Sequence, residues 1–334
     1  MQDALNSFNA KKKLFYSDIR IGLFEGKSAA AQNGNTKGAE EDAEAEIGVR
    51  VYLKKSGFIA SGHCGTTIDT TNQKNIKKTI EQTLNQAFKL AKANAEQKKI
   101  FHKKHSLLGK QLEKMDFSPI KNQQKNYALP FKKSFHNLSL EEVVSLVEKN
   151  SANLKQKKGI AANEIGLIAG EKKKLFTSTD GSLIEQTFPL TEAFIYVAAK
   201  GKAMENYYNS LGNYAGLEVL DGKNEFKQTF EEFAEYLADG TIEVSNAPAM
   251  KTTDKPVTVI TDPWFNALLS HEIMGHPSEA DRALKRESAW AGRAWWYNGV
   301  DDNKFGQEIA SEQLSVFSDP SLDGYGHYMF DDEG

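Results

Sequence analysis

Alternation of apolar and polar residues predicts the first strands of this chain. Apolar side chains fall at every second position in residues 18–24, as on one face of a half-buried strand. Strands are also predicted at 47–53 and 57–61, and the three polar residues between them suit a hairpin, which implies antiparallel pairing. Residues 26–46 contain no large apolar residue and are rich in Gly, Ala, Asn, Lys and Glu, so they are predicted to form a long exposed loop.

Apolar residues spaced three and four apart predict amphipathic helices. The longest such stretch covers residues 76–91, with Lys, Gln and Asn on the opposite face. A second helix is predicted to begin after Ser139, because Ser139 and Glu142 form a capping-box pattern ahead of apolar residues. A third is marked by apolar residues in 226–237 and is predicted to end at 239–240, where a glycine can adopt the left-handed cap conformation.

Three more strand candidates follow the second helix. They cover residues 164–168, 174–177 and 182–188, and the turn-forming pair Asp180-Gly181 separates the last two. Antiparallel hairpins with packed helices define an α+β fold. The glycine near residue 240 then suggests a boundary, so an N-terminal α+β domain is predicted over residues 1–240.

The chain beyond the boundary begins with a run that is typical of a buried strand, at residues 256–261. Asp262 follows as a helix N-cap and Pro263 suits the first helical position. A helix that begins at about residue 263 therefore leads into the histidine-containing segment described below.

Composition narrows the class of protein. Hydrophobic residues make up 40% of the 334 residues and charged residues 26%, which predicts a sizeable buried core. A net charge of −3 provides no general attraction to nucleic acid or anionic lipid, and no apolar run approaches the roughly 18 residues of a membrane helix. We therefore expect neither a nucleic-acid nor a membrane partner. The N-terminus lacks a secretory signal pattern and Cys64 is the single cysteine, which favours the cytoplasm.

The segment His-Glu-Ile-Met-Gly-His at residues 271–276 carries the candidate chemistry. Its two histidines are five positions apart, so an ideal α-helix would separate them by about 140° around its axis. Gly275 lets a helix widen or bend, and Pro277 bars regular continuation, so a local distortion is predicted to bring the imidazoles together. Glu272, beside the first histidine, is positioned to accept a proton from water and deliver it to a leaving amine. The alternative is an ordinary helix end whose histidines cap carbonyls.

Catalytic zinc normally has three protein ligands, and this segment supplies two of them. The third ligand is open among four candidates, which are Glu279, Asp281, His327 and Cys64. Glu279 and Asp281, together with Arg282, are equally candidates for a role behind the histidines, because a metal-bound imidazole usually donates its other N–H to a carboxylate or carbonyl. A simple surface ion pair is the competing interpretation.

The residues around this segment resemble the signature of the TldD branch of the TldD/PmbA (TldD/TldE) metallopeptidases. The similarity begins with HEIMGHP at residues 271–277 and EADR at 279–282. It continues in the same order through KRESAWAG at 285–292, GQEIAS at 306–311 and DPSLDGYGHYMFDDEG at 319–334.

The resemblance implies a zinc-dependent peptidase that acts on unfolded or flexible peptides. It implies that His271 and His276 bind one zinc ion per subunit and that Glu272 is the catalytic base. Members of the family form dimers, either of like subunits or of TldD with a TldE/PmbA-like subunit that lacks the motif. A homodimer or a heterodimer is therefore implied for this chain.

The family's third zinc ligand is a cysteine that follows the segment corresponding to residues 331–334. The third protein ligand is thus expected to be absent from this chain, and Cys64 does not correspond to it. We expect a fragment or a truncated gene model, in which residues 241–334 are the first part of a mostly β, metal-carrying C-terminal domain. The alternative function is a catalytically inert assembly partner or peptide-binding subunit.

Overall fold

The computed structural model describes residues 1–55, 58–69, 73–104, 122–279, 282, 294 and 304–334. These residues form two compact units, and the first contains Met1–Pro248 together with Pro320–Gly334. The second unit contains Ala249–Asp319. The division into domains 1–240 and 241–334 stays a prediction.

A seven-stranded sheet forms the centre of the first unit, with the strand order β3-β2-β1-β5-β6-β4 and with β7 on another part of β6. Its strands pair antiparallel except for β4, which pairs parallel with β6. The strands are β1 (Tyr16–Gln32), β2 (Asn35–Lys55), β3 (Phe58–Thr67), β4 (Gln124–Ala128), β5 (Ile160–Ser178), β6 (Leu183–Lys200) and β7 (Met204–Asn213). The predicted pairing of the strands near 47–53 and 57–61 is confirmed.

Helices cover one face of this sheet. They are α1 (Gln2–Lys12), α2 (Gln73–Lys104), α3 (Leu140–Gln156) and α4 (Phe230–Asn246). Ile19 and Ile21 of β1 belong to the core beneath α1 and α2, whereas Ala29 and Ala31 belong to the core beneath α3 and α4. Because alternate residues of a strand share a face, both cores lie on the same side of β1. Helices packed on an antiparallel sheet confirm the predicted α+β class.

The long loop predicted at 26–46 is wrong, because these residues form the far halves of β1 and β2. The two strands turn at Asn33-Gly34, both with positive φ (52° and 82°), as a type I′ hairpin turn requires. The stretch has no large apolar residues because only small ones fit: Ala29 and Ala31 are buried under the helices. On its other edge, β1 pairs with β5, and this pairing satisfies the backbone hydrogen-bonding groups of β1 without requiring large side chains.

Two predicted boundaries are also corrected. The strands at 164–168 and 174–177 are parts of one strand, β5. The helix predicted over 226–237 begins at Phe230 and continues through Gly240 to Asn246, because Thr241 and Ser245 extend its buried face. Burial along that face outweighs the tendency of a glycine to end a helix.

Local signals at the helix starts and turns are confirmed. Ser139 accepts a hydrogen bond from the Glu142 N–H, and the Glu142 side chain accepts one from the Ser139 N–H, which completes the predicted capping box of α3. The apolar stripe of α2 is buried through Ile80, Leu84 and Ala87. The turn at Asp180-Gly181 is present, with the Gly181 N–H donating to the Ser178 carbonyl.

Gly62 shows how closely β3 and α2 approach each other. A Cβ at this position would lie 2.0 Å from the Ala87 carbonyl oxygen and 2.3 Å from the Ala91 nitrogen, both backbone atoms. We expect Gly62→Ala to lower the free energy of unfolding by about 1–3 kcal/mol, because the helix must move away from the strand. Gly240→Ala, where a Cβ would contact nothing within 4 Å, should instead stabilise the protein slightly.

Urea unfolding followed by circular dichroism would measure both variants. Equal midpoints for Gly62→Ala and the parent protein would contradict the close approach of β3 and α2.

Residues 320–334 complete the first unit by docking on the sheet. The buried Gln186 side chain accepts hydrogen bonds from the Met329 and Phe330 N–H groups at 3.1 and 3.0 Å, and donates to the Phe330 carbonyl at 2.8 Å. His327 lies 2.7 Å from the Tyr127 hydroxyl. Arg50 binds Glu333 and lowers the pKa of that carboxyl group below its ordinary value. The segment is therefore held by hydrogen bonds that span its length.

The described part of the second unit contains short helices. These are α5 (Pro263–Ser270), a π-helical turn (His271–Gly275) and α6 (His276–Ser278). The buried strand predicted at 256–261 is wrong: these residues pair with no strand among the described residues, and Val259 and Ile260 are 73% and 94% exposed. An apolar run becomes a strand only where a partner satisfies its backbone groups.

The helix start predicted at Asp262 is confirmed, because the Phe265 N–H donates to the Asp262 carboxylate at 2.7 Å and Pro263 occupies the first turn. In neither unit does the described part of the chain include a helix that is both long and apolar enough to span a membrane.

Candidate metal centre

A π-helical turn at His271–Gly275 brings the two histidines onto the same side of the helix, although they are five positions apart. The His276 N–H donates to the His271 carbonyl, so residues five positions apart are hydrogen-bonded across one turn. This wider turn places His271 and His276 above one another, and their Nε2 atoms lie 2.9 Å apart. The distortion spans the whole turn: Gly275 keeps right-handed helical angles (φ −62°, ψ −64°), so no left-handed glycine is required.

Glu272 lies beside both imidazoles. Its carboxylate oxygens are 4.0 Å from Nε2 of His271 and 3.9 Å from Nε2 of His276. Among the described residues, these three form the one group of His, Cys, Asp or Glu whose ligand atoms could hold a metal, all within 4.8 Å of one another. The His271 and Glu272 side chains are 59% and 57% exposed, so both are accessible to solvent.

The distances within this group fit a zinc ion. Two Zn–N bonds of about 2.0–2.1 Å at a tetrahedral angle separate their nitrogens by roughly 3.3 Å, close to the 2.9 Å between the two Nε2 atoms. Two imidazole nitrogens this close need a proton or a cation between them, because two facing lone pairs repel each other. The donor set of two imidazoles and a neighbouring carboxylate suits zinc chemistry.

Glu279 lies behind His276 and points away from the facing Nε2 atoms. One of its oxygens is 2.7 Å from Nδ1 of His276, and the other accepts a hydrogen bond from Nε of Arg282. The hydrogen bond from His276, together with that from Arg282, lowers the pKa of the Glu279 carboxyl group below its ordinary value. Both oxygens are thus engaged away from the position of a metal.

Two of the other candidates for a third ligand belong to the first unit. His327 is buried against Tyr127 in the first unit, and Cys64 is a half-buried residue of β3 that packs against the core of that unit. Asp281 lies outside the described residues. No third ligand is therefore placed among the described residues of the second unit.

Sequence reasoning missed Tyr127, because a lone tyrosine in a lysine-rich stretch carries no local signal for pairing with a histidine 200 residues away. Glu279 and Arg282 were found but not distinguished from a surface ion pair. Their three-residue steps from His276 place all three side chains on one side of a helical path, and this periodicity is the signal that relates them.

The segment that contains these residues matches a known protein family. Residues 253–334 match the family model described as the PmbA/TldA metallopeptidase C-terminal domain. A protein of Methanocaldococcus jannaschii named metalloprotease is 25% identical over 326 residues, which cover 96% of this chain and 61% of the relative. A Methanothermobacter thermautotrophicus metalloprotease is 27% identical over 180 residues, 53% of this chain and 35% of the relative. The matched residues thus cover between 35% and 61% of the length of these relatives.

Solved structures share the fold. A Bacteroides thetaiotaomicron protein, described as a candidate modulator of DNA gyrase, matches with a TM-score of 0.63 at 14% identity, covering 100% of this chain and 66% of that one. A Thermotoga maritima protein with a similar description matches with a TM-score of 0.50 at 13% identity, covering 75% of this chain and 49% of that one. Residues 253–334 are thus similar to the PmbA/TldA metallopeptidase C-terminal domain, almost the whole chain is similar to a curated metalloprotease, and the solved structures show a shared fold.

Proposed function

We propose that this protein is the metal-carrying subunit of a zinc-dependent peptidase that hydrolyses peptide bonds in unfolded or flexible peptides. The observation that carries the proposal is the convergence of His271 and His276, whose Nε2 atoms lie 2.9 Å apart with the Glu272 carboxylate beside both. The names of the curated relatives and the metallopeptidase domain match support the same class of activity.

His271 and His276 would hold the zinc ion through Nε2, with a further ligand supplied from elsewhere in the protein. When bound, zinc supplies Lewis-acid polarisation of the scissile carbonyl and makes nearby water more acidic. Exposure of the His271 ring leaves room for a peptide carbonyl to approach the same position. A catalytic zinc site requires such an open coordination position.

Glu272 is the proposed general base. Its carboxylate lies 3.9–4.0 Å from the two Nε2 atoms, so a water molecule that approached the metal position would come within hydrogen-bonding reach of the carboxylate. Glu272 would accept a proton from the attacking water and deliver it to the amine that leaves, so that one carboxylate serves both halves of the hydrolysis. The 57% exposure of its side chain allows it to follow the proton between these positions.

The proposed subunit partners are inferred from the resemblance to the TldD branch. The motif at residues 271–276 is characteristic of the TldD branch, so we infer assembly either with a like chain or with a TldE/PmbA-like subunit that lacks the motif. We place this assembly in the cytoplasm, where the single cysteine, Cys64, would remain reduced.

Zinc content tests the metal assignment directly. The intact protein, stripped with a chelator and reloaded with zinc, should hold about one zinc ion per subunit by mass spectrometry of the metal. His271→Ala and His276→Ala should each lose most of it, because each removes one ligand. His63→Ala, a change at an exposed histidine of β3, is the matched control and should retain full zinc content. Undiminished zinc in both site variants would overturn the proposed site.

A further inference from the structure

His276 uses both nitrogens of its ring, and the two face different partners. Nε2 points toward Nε2 of His271 at 2.9 Å, and Nδ1 points toward the Glu279 carboxylate at 2.7 Å. An ionised carboxylate can only accept hydrogen bonds, so the proton of a neutral ring must sit on Nδ1. The Nε2 lone pair then faces His271, whose own Nε2 carries the proton that lies between the two rings.

Arg282 holds the Glu279 carboxylate, which in turn orients the His276 ring. Its side chain is only 13% exposed, and its Nε donates to the Glu279 oxygen that His276 does not use. A guanidinium group can only donate hydrogen bonds, so this Glu279 oxygen is an acceptor and the carboxylate is held in place by Arg282. The Arg282 Nη2 atom lies 3.2 Å from Nδ1 of His276 as well. Because Nδ1 of His276 carries the proton in this arrangement, it cannot accept a hydrogen bond from Nη2. We therefore assign the Nη2–Nδ1 contact to packing and the contact between Arg282 Nε and Glu279 to a hydrogen bond.

The two histidines differ in this respect. Nδ1 of His271 has no hydrogen-bond partner among the described residues, and its side chain is 59% exposed against 31% for His276. Among the described residues, the His276 ring is therefore held at both nitrogens, whereas the His271 ring is held only at Nε2. Orienting a ligand before the metal binds removes part of the entropy cost of binding.

We propose that Glu279, clamped by Arg282, is a positioning residue that keeps the proton of His276 on Nδ1 and turns its Nε2 toward the metal position. The inference rests on the proposed function, because it assigns a role toward the zinc ion that His271 and His276 would hold. Because its two oxygens bind His276 and Arg282, Glu279 would act through the histidine and not as a metal ligand. Its effect on catalysis is transmitted through the His276 ring.

The test compares zinc affinity in three variants of the full chain. Glu279→Met keeps the length of the side chain but removes the acceptor, whereas Glu279→Gln keeps a carbonyl acceptor without the charge. Glu235→Gln, at an exposed position of α4, is the control. Competition for Zn²⁺ with a coloured chelator should show binding about 10–100-fold weaker for Glu279→Met, a smaller loss for Glu279→Gln and none for the control.

A second readout separates positioning from a general loss of structure. In the zinc-free protein, ¹⁵N NMR of the histidine rings should show His276 with its proton on Nδ1 in the parent protein. In Glu279→Met, the two tautomers should both be populated, while circular dichroism stays unchanged. Parent-like zinc affinity and an unchanged tautomer in Glu279→Met would overturn the role of Glu279 alone. Failure of the parent protein to bind zinc would instead overturn the proposed function as well.

Discussion

Glu272→Gln is expected to abolish most peptide hydrolysis while the protein keeps its zinc. The amide has nearly the same shape as the carboxylate but cannot accept a proton, and general-base catalysis contributes about 10²–10⁴-fold to rates of this kind. We therefore expect kcat to fall by at least about 100-fold, with a much smaller change in KM. Hydrolysis of an unstructured peptide by the intact protein and its partner would measure both constants.

Zinc content decides between two roles of Glu272. Its carboxylate is close enough to both histidines to be considered as a ligand, since all three ligand atoms lie within 4.8 Å of one another. If Glu272 is the base, Glu272→Gln should hold zinc as tightly as the parent protein. If Glu272 is a metal ligand, the variant should lose zinc together with activity. Glu243→Gln, at an exposed position of α4, controls for the removal of one negative charge. Hydrolysis at the parent rate by Glu272→Gln would rule out the assignment as base.

Arg50→Met is expected to cost the first unit the most stability of any single change discussed. Its guanidinium group binds the fully buried Asp18 carboxylate through Nη2 at 2.7 Å and Nε at 3.0 Å, and it also holds Glu333. Arg20 provides a second contact to Asp18 at 3.0 Å. Removal of one partner from a buried ion pair typically costs about 3–5 kcal/mol, and the contact from Arg20 places our expectation near the lower end.

A double-mutant cycle in urea unfolding tests the reason for that cost. Asp18→Asn combined with Arg50→Met leaves no uncompensated buried charge, so the pair should lose less stability than the sum of the two single changes. Lys149→Met, which breaks an exposed ion pair with Glu231 whose side chains are 62% and 45% exposed, should cost less than about 1 kcal/mol. Strict additivity of the two buried changes would show that Asp18 and Arg50 act independently.

The residues around Asp18 also explain how the C-terminal segment is retained. Arg20 donates to the Asp332 carbonyl and Arg50 to the Glu333 carboxylate, so the same two arginines bind the buried Asp18 and the docked segment. Arg50→Met should therefore loosen residues 330–334 as well as destabilise the sheet. Hydrogen exchange of the amides in this segment would report that loosening separately from global unfolding.

Most predictions that rest on neighbouring residues succeeded, and the helix end predicted at Gly240 is the exception. The capping box at Ser139 and Glu142, the N-cap at Asp262 and the turn at Gly181 depend on backbone groups within four residues, and the structure forms all three. Helix α2 was found for the same reason, because its apolar stripe repeats with the helical period. These interactions are encoded locally, so a pattern along the chain is sufficient to locate them.

Predictions that depended on distant partners failed. Residues 26–46 became strands because β5, more than a hundred residues further along the chain, pairs with residues 18–32 of β1, which in turn pairs with β2. Residues 256–261 have apolar side chains typical of a strand but no strand partner among the described residues, and they are exposed. Apolar content thus predicted neither the strands at 26–46 nor the absence of a strand at 256–261. Strand pairing rather than hydrophobicity decides whether an extended segment joins a sheet.

The candidate site also has features that could be predicted from the sequence and features that depend on the tertiary structure. The sequence by itself determined the chemistry: two histidines, a neighbouring glutamate and a glycine at positions where a helix must depart from regular geometry. Only the tertiary structure decided how that departure occurs, through a π-helical turn that brings the Nε2 atoms to 2.9 Å, and which carboxylate lies behind His276. Residue types and spacing specify which groups are available, but hydrogen bonds that form in three dimensions determine which of those groups face one another.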